Sequence, residues 1–113
     1  MHVIVHIARG PNWLKGRPVY EQGEPVEGHL TAMRSLYDSG RLLIGGPFRG
    51  KGKGGIAVLR VDDLPAAKAL MDADPAVVAG VMTYALDELT AVFDAFSGTR
   101  TNGTAIDVGR MLS

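Results

Sequence analysis

The sequence predicts an α+β sandwich, one antiparallel sheet of four strands with helices packed on one of its faces. Two observations carry this reading. Stretches of strand-like and helix-like periodicity follow one another in the order β-α-β-β-α-β, and the breaks between them are rich in Gly and Pro. The 113 residues are 46% hydrophobic, which suffices for a single domain with one core.

The elements follow in order. His2 to Ala8 is rich in β-branched residues and predicts the first strand. Residues 9–23 hold Gly10, Pro11, Gly16, Pro18 and Gly23 and predict a long loop, a kind of segment that commonly serves function. Pro25 suits the first position of a helix reaching about Asp38, with Gly40 as its stop. At about 100° per residue, Val26, Leu30, Met33, Leu36 and Tyr37 share one arc, with His29 inside it and Glu27, Thr31, Arg34 and Asp38 opposite.

Arg41 to Phe48 and Gly55 to Val61 predict a hairpin around the Gly- and Lys-rich turn 49–54. Asp62 or Asp63 caps a second helix with Pro65 in its first turn and Leu64, Ala67, Leu70 and Met71 on one side. That helix ends near Asp74, because Pro75 disfavours a helical residue before it. Residues 75–79 fit one further turn, Val81 to Leu89 a fourth strand, and Thr90 to Phe96 a short helix. The domain spans 1–96. The tail, 97–113, is flexible or docked on a partner subunit. This order is the split pattern of the ferredoxin-like sandwich. In the first strand Val3, Val5 and Ile7 alternate with His2, Ile4, His6 and Ala8, so neither face is plainly polar. A sheet apolar on both sides needs a second cover, and another copy of the chain supplies it most simply, which predicts a homodimer.

Composition removes several function classes. There is no cysteine, hence no disulfide framework and no thiol chemistry. Twelve basic residues balance twelve acidic ones, which argues against nucleic acid or a membrane surface as partner. No apolar run nears the roughly 18 residues of a membrane span, and MHVIVHIARG lacks a charged leader. A cytoplasmic location is the expectation.

Two motifs at the hairpin turn are incomplete. Gly45 to Lys51 matches most of a phosphate-binding loop, but Gly52 stands where a Ser or Thr holds magnesium, and a strand follows in place of a helix. Gly50 to Gly55 fits G-x-G-x-x-G with the same defect. The turn reads as solvated, with Arg49, Lys51 and Lys53 able to attract an anionic substrate. His2 and His6 share a strand face about 13 Å apart, too far to grip one metal. Neither a metal nor a nucleotide cofactor is expected, and no G-x-S-x-G signals a serine nucleophile.

His29 is the informative residue. A histidine in an apolar helical arc costs desolvation unless hydrogen-bonded. Asp74 falls on the apolar side of the second helix and is the best partner; Asp72 points away and Asp38 lies on the polar face. Asp74 before Pro75 also suits the cap of the turn at 75–79. A His–Asp pair is a general acid–base unit, since the carboxylate fixes the imidazole tautomer and raises its basicity.

Gly28-His29-Leu30, the run Leu36 to Phe48 with its D-x-G-x-L step and Gly46-Pro47, and Asp74-Pro75 followed by Ala79-Gly80 together resemble the YciI-like (YCII-related) domain family over about residues 1–93. The resemblance implies a ferredoxin-like subunit, a dimeric α+β barrel and a His–Asp site falling on His29 and Asp74. It also implies kinship with a dehydrochlorinase of a chlorinated hydroxyquinol, with muconolactone isomerases and with cofactor-free monooxygenases. The loop 9–23 and the tail 97–113 depart from the short family pattern.

The reading that follows is a small cofactor-independent enzyme. It performs proton transfer, elimination or isomerisation on a small organic acid, with His29 as acid or base and Asp74 orienting it. Trp13, Tyr20, His6, Phe48 and Arg49 are candidates to shape the pocket, the last three as substrate contacts. The alternatives are a non-catalytic dimeric binding or accessory module, in which the pair fixes helix packing, and a monooxygenase-like barrel.

Overall fold

The structure, a computed structural model, describes residues 1–50, 52–97 and 103–112. Lys51 of the basic turn and part of the tail, 98–102 and 113, lie outside the described residues. The strands are β1 His2–Arg9, β2 Leu42–Pro47, β3 Gly55–Arg60 and β4 Met82–Leu89. They form one antiparallel sheet in the order β2-β3-β1-β4. The helices are α1 Glu24–Asp38, α2 Leu64–Asp72, the single turn α3 Pro75–Val78, and α4 Ala105–Leu112. The architecture is the α+β ferredoxin-like sandwich.

Local chemistry sets the helix ends. The Asp63 side chain accepts from Ala66 N–H at 2.8 Å and caps α2, so Asp63 rather than Asp62 takes that role. Gly40, at φ 78°, carries the chain out of α1, where Arg41 N–H returns to Leu36 O at 2.8 Å.

The core lies on one sheet face. Val3 and Val5 of β1 and Leu59 of β3 have no exposed surface, and Leu36, Ala67 and Met71 cover them from α1 and α2. Full burial of each large apolar side chain contributes about 1.5–3 kcal/mol. The contact stripe of α1 is narrower than the arc drawn from the sequence. Val26, His29 and Leu36 are buried, whereas Leu30 and Tyr37 are 61% and 59% exposed. Leu30 and Tyr37 flank that contact at the β2 edge of the sheet, where they line a groove with Leu42 and Ile44. On the opposite face Ile4, Ile56 and Val58 stay half-buried, and Ile44 and His6 are exposed.

Three local expectations change. No helix forms at Thr90–Phe96, where the chain makes bends at 92–93 and a turn at 95–96. Asp94 takes the backbone N–H of Phe96 at 2.9 Å, and its carboxylate lies 3.1 Å from His2 Nε2, anchoring the segment as a turn. A helix forms further on, where Thr104 Oγ1 accepts from Asp107 N–H at 3.2 Å at the start of α4. The loop after β1 holds a 3-10 turn at Val19–Glu21 and is tightly tied. Gln22, 3% exposed, accepts from Leu14 N–H at 2.7 Å and donates to Leu14 O at 3.0 Å and Arg17 O at 2.9 Å.

Candidate functional site

α1 and α3 meet where the sequence allows a close approach. Gly28 stands so near α3 that a Cβ there would lie 2.8 Å from Pro75 Cβ and 2.9 Å from its Cγ. Such separations are far inside the ordinary contact distance of about 3.5–4.0 Å. The residues next to this contact are His29 and Asp74, and the structure brings them together: His29 Nδ1 and Asp74 Oδ2 are 2.7 Å apart. Asp74 is 2% and His29 9% exposed.

The second carboxylate oxygen of Asp74 is equally committed. Oδ1 accepts from Ala76 N–H at 2.9 Å and caps α3. Backbone bonds fix the residue further, from Asp74 N–H to Met71 O at 3.1 Å and from Val78 N–H to Asp74 O at 2.9 Å. Capping and histidine pairing, which compete when read from sequence, are divided between two oxygens of one group. An ionised carboxylate can only accept. With the carboxylate ionised and the imidazole neutral, the Nδ1 proton therefore points at Asp74, and the lone pair is on Nε2. That is the arrangement of a general base held in one tautomer, with a carboxylate placed to stabilise the imidazolium.

The other candidate aspartates are engaged elsewhere. Asp38 binds Arg34 along α1 at 3.0 Å. Asp72 accepts from Lys68 and from the Tyr84 hydroxyl. These hydrogen bonds, that of Lys68 foremost, hold the Asp72 carboxyl below the usual carboxylate range. The bond to Asp72 pushes Tyr84 and Lys68 above their ordinary values.

The expected substrate contacts are not gathered around the pair. His6 is on the sheet face opposite the helices, with Nε2 2.9 Å from Asp87 Oδ2. The alternation of β1 puts it there, since His6 takes the opposite side from Val5 and Ile7. Phe48 and Arg49 are exposed at the β2–β3 turn and make no hydrogen bond or ion pair with His29 or Asp74. Tyr20 is 81% exposed, whereas Trp13 packs on the cluster of Val26, Ala76, Val81 and Met82. An apolar groove of about 390 Å³ runs between α1 and β2, lined by Leu30, Met33, Tyr37, Leu42 and Ile44 among others, and neither His29 nor Asp74 lines it. Among the described residues no group of three metal-ligating side chains comes together, and no helix is long and apolar enough to cross a membrane.

Sequence reasoning missed Gln22, which ties the loop, and Gly28, which sets the helix approach. Gly28 left a usable signal, because a glycine in a helix interior costs stability unless something needs the space.

The structure resembles that of a 5-chloro-2-hydroxyhydroquinone dehydrochlorinase from Burkholderia phenoliruptrix, in complex with 2,5-dihydroxybenzoquinone. The TM-score is 0.61 at 15% identity, over 79% of this chain and 93% of that one. At that identity the likeness shows a shared fold. No curated protein matches the chain. The model of the YCII-related domain matches residues 1–89, which take in all four strands, His29 and Asp74. The chain belongs to the YCII-related domain family.

Proposed function

We propose that the protein is a small acid–base enzyme that needs no cofactor and acts on a small organic acid by proton transfer, elimination or isomerisation. The observation that carries the reading is the buried 2.7 Å contact between His29 and a carboxylate whose other oxygen is already bound. His29 Nε2 takes a proton from a carbon or oxygen of the substrate, and Asp74 stabilises the imidazolium. In an elimination the electron pair of the broken bond becomes the new π bond as chloride leaves, and the imidazolium passes its proton to solvent. Such a step consumes no oxidant or reductant. The dehydrochlorinase activity of the structural neighbour supports this class of chemistry. The half-buried apolar face of Ile4, Ile56 and Val58 supports a homodimer joined sheet to sheet.

The test is chloride release from 5-chloro-2-hydroxyhydroquinone together with deuterium uptake from D2O by small lactones and hydroxy acids. Turnover in the wild type that falls about 100-fold or more in His29→Asn supports the reading, since general acid–base groups contribute about 10²–10⁴-fold. Equal turnover in the variant refutes it.

A second reading is a non-catalytic dimeric module that binds a small molecule or a partner protein. It is favoured by the apolar groove between α1 and β2, which excludes both His29 and Asp74. Under this reading the pair fixes α1 against α3, and a ligand perturbs the NMR signals of Met33 and Tyr37 without any reaction.

A further inference from the structure

We propose that Arg9 and Trp13 form a preorganised subsite for a planar organic anion, receiving its carboxylate, enolate or phenolate oxygens. The inference names the substrate class of the proposed site and rests on that reading only for which end of the substrate reacts.

Arg9 ends β1. Its guanidinium carbon lies 4.8 Å from the centroid of the Trp13 ring. Stacking on a ring face occupies the plane of the guanidinium and leaves its N–H donors free around the edge, in the fork that fits a carboxylate. No described residue takes those donors. None of the ion pairs among the described residues involves Arg9. Gly52 of the β2–β3 turn, at φ 74°, faces the guanidinium, and a Cβ there would lie 3.6 Å from one of its terminal nitrogens.

Trp13 supplies the second donor. Its Nε1 is buried and has no hydrogen-bond partner among the described residues. An indole nitrogen can only donate, and a buried unpaired donor costs enough that folded proteins rarely keep one without a reason. The orphaned donor marks the indole edge as a place for an acceptor that no described residue supplies.

The platform is fixed in place. Gly10 N–H and Asn12 N–H donate to Val81 O and Gly80 O at 2.8 Å each, and Asn12 Nδ2 donates to Ala79 O at 2.9 Å. Gly10 itself has no room for a Cβ, which would stand 2.2 Å from Gly80 O. Trp13 rests on the cluster containing Val26 and Ala76, three residues before His29 and two after Asp74. The cluster under Trp13 thus draws on the same two helices, α1 and α3, that the His–Asp pair joins. A stack held ready before the ligand arrives loses little side-chain freedom on binding.

The chain has one tryptophan, so the single indole N–H signal in a 1H–15N spectrum reads this site alone. The full chain is titrated with benzoate, with 4-nitrophenolate above its pKa, and with neutral benzamide. Saturable movement of the indole signal with either anion and none with benzamide is the expected result; which anion binds tells a carboxylate from a phenolate subsite. Arg9→Met should weaken that binding about ten- to hundredfold, the effect of losing a hydrogen bond to an ionised group. Arg9→Lys keeps the charge without the fork and should fall between. The ring tautomer of His29, read in the same samples, separates the two ideas. If Arg9→Met and Arg9→Lys bind as tightly as wild type, or if neither anion moves the signal, the platform is overturned while an intact tautomer leaves the dyad standing. If the anions bind through Arg9 but His29 carries its proton on Nε2, the dyad is overturned and the platform stands.

Discussion

Replacing Gly28 by Ala sets two principles against each other. On helix propensity alone, Ala at an interior position is favoured over Gly by about 1 kcal/mol. The structure opposes this, because the added Cβ would sit 2.8 Å from Pro75 Cβ and 2.9 Å from Pro75 Cγ. Relieving both contacts to about 3.6 Å requires α1 and α3 to separate by about 0.8 Å. The same separation stretches the His29–Asp74 contact from 2.7 Å to about 3.5 Å, beyond a useful hydrogen bond. Overpacking typically costs about 1–3 kcal/mol, and a buried carboxylate deprived of one partner costs about 1–3 kcal/mol more. After the propensity gain, a net loss of about 1–5 kcal/mol is expected. Urea unfolding measures the loss, and long-range 1H–15N correlation shows whether the His29 proton still resides on Nδ1. A Gly28→Ala variant more stable than wild type, with that proton unmoved, would refute the reasoning.

Further outcomes follow from the same contacts. Gln22→Ala should destabilise the chain by about 1–3 kcal/mol through the unpaired Leu14 groups it leaves behind, with hydrogen-exchange protection lost first at the Leu14 amide, which donates to Gln22; unchanged protection there would refute the tie. Asp72→Asn should flatten the acid side of the stability profile. The folded-state value of Asp72 is depressed, so its contribution is present above the ordinary carboxylate range and lost as pH falls through the folded value, below about pH 4; equal slopes for the two proteins below pH 4 exclude it. Tyr84 is raised by the same bond, so its share is present below about pH 10 and lost as pH rises through the folded value. Val58→Lys, on the open sheet face opposite Ile4 and Ile44, should convert the proposed dimer to monomer in sedimentation with the fold intact; a dimer that survives the charge places the interface elsewhere.

The fold was legible because it rests on local and periodic signals. The alternation of Val3, Val5 and Ile7 marks a sheet face, Pro25, Pro65 and Pro75 mark helix starts, and Gly40 marks a stop. Each constrains dihedral angles within a few residues, whatever the rest of the chain does. Residues 90–96 misled for the same reason: their composition permits a helix, but the contact of Asp94 with His2, at the other end of the sequence, holds a turn there instead.

Of the candidate site, the sequence determined the residue types and their helices: a histidine inside an apolar arc and an aspartate before a proline. Tertiary structure decided how they combine. Only the packing of α1 on α3 through Gly28 and Pro75 brings residues 45 apart in sequence to 2.7 Å, with one oxygen for the histidine and one for the cap. The alternation of β1 already set His6 apart from Val5 and Ile7; only the tertiary structure decided which of the two faces the helices cover and that His6 meets Asp87 of β4. The physical reason is the range of the forces. Backbone propensity acts over a few residues and can be read along the chain. Desolvation and hydrogen bonding act over a few ångströms in space, and those neighbours exist only once the chain has folded.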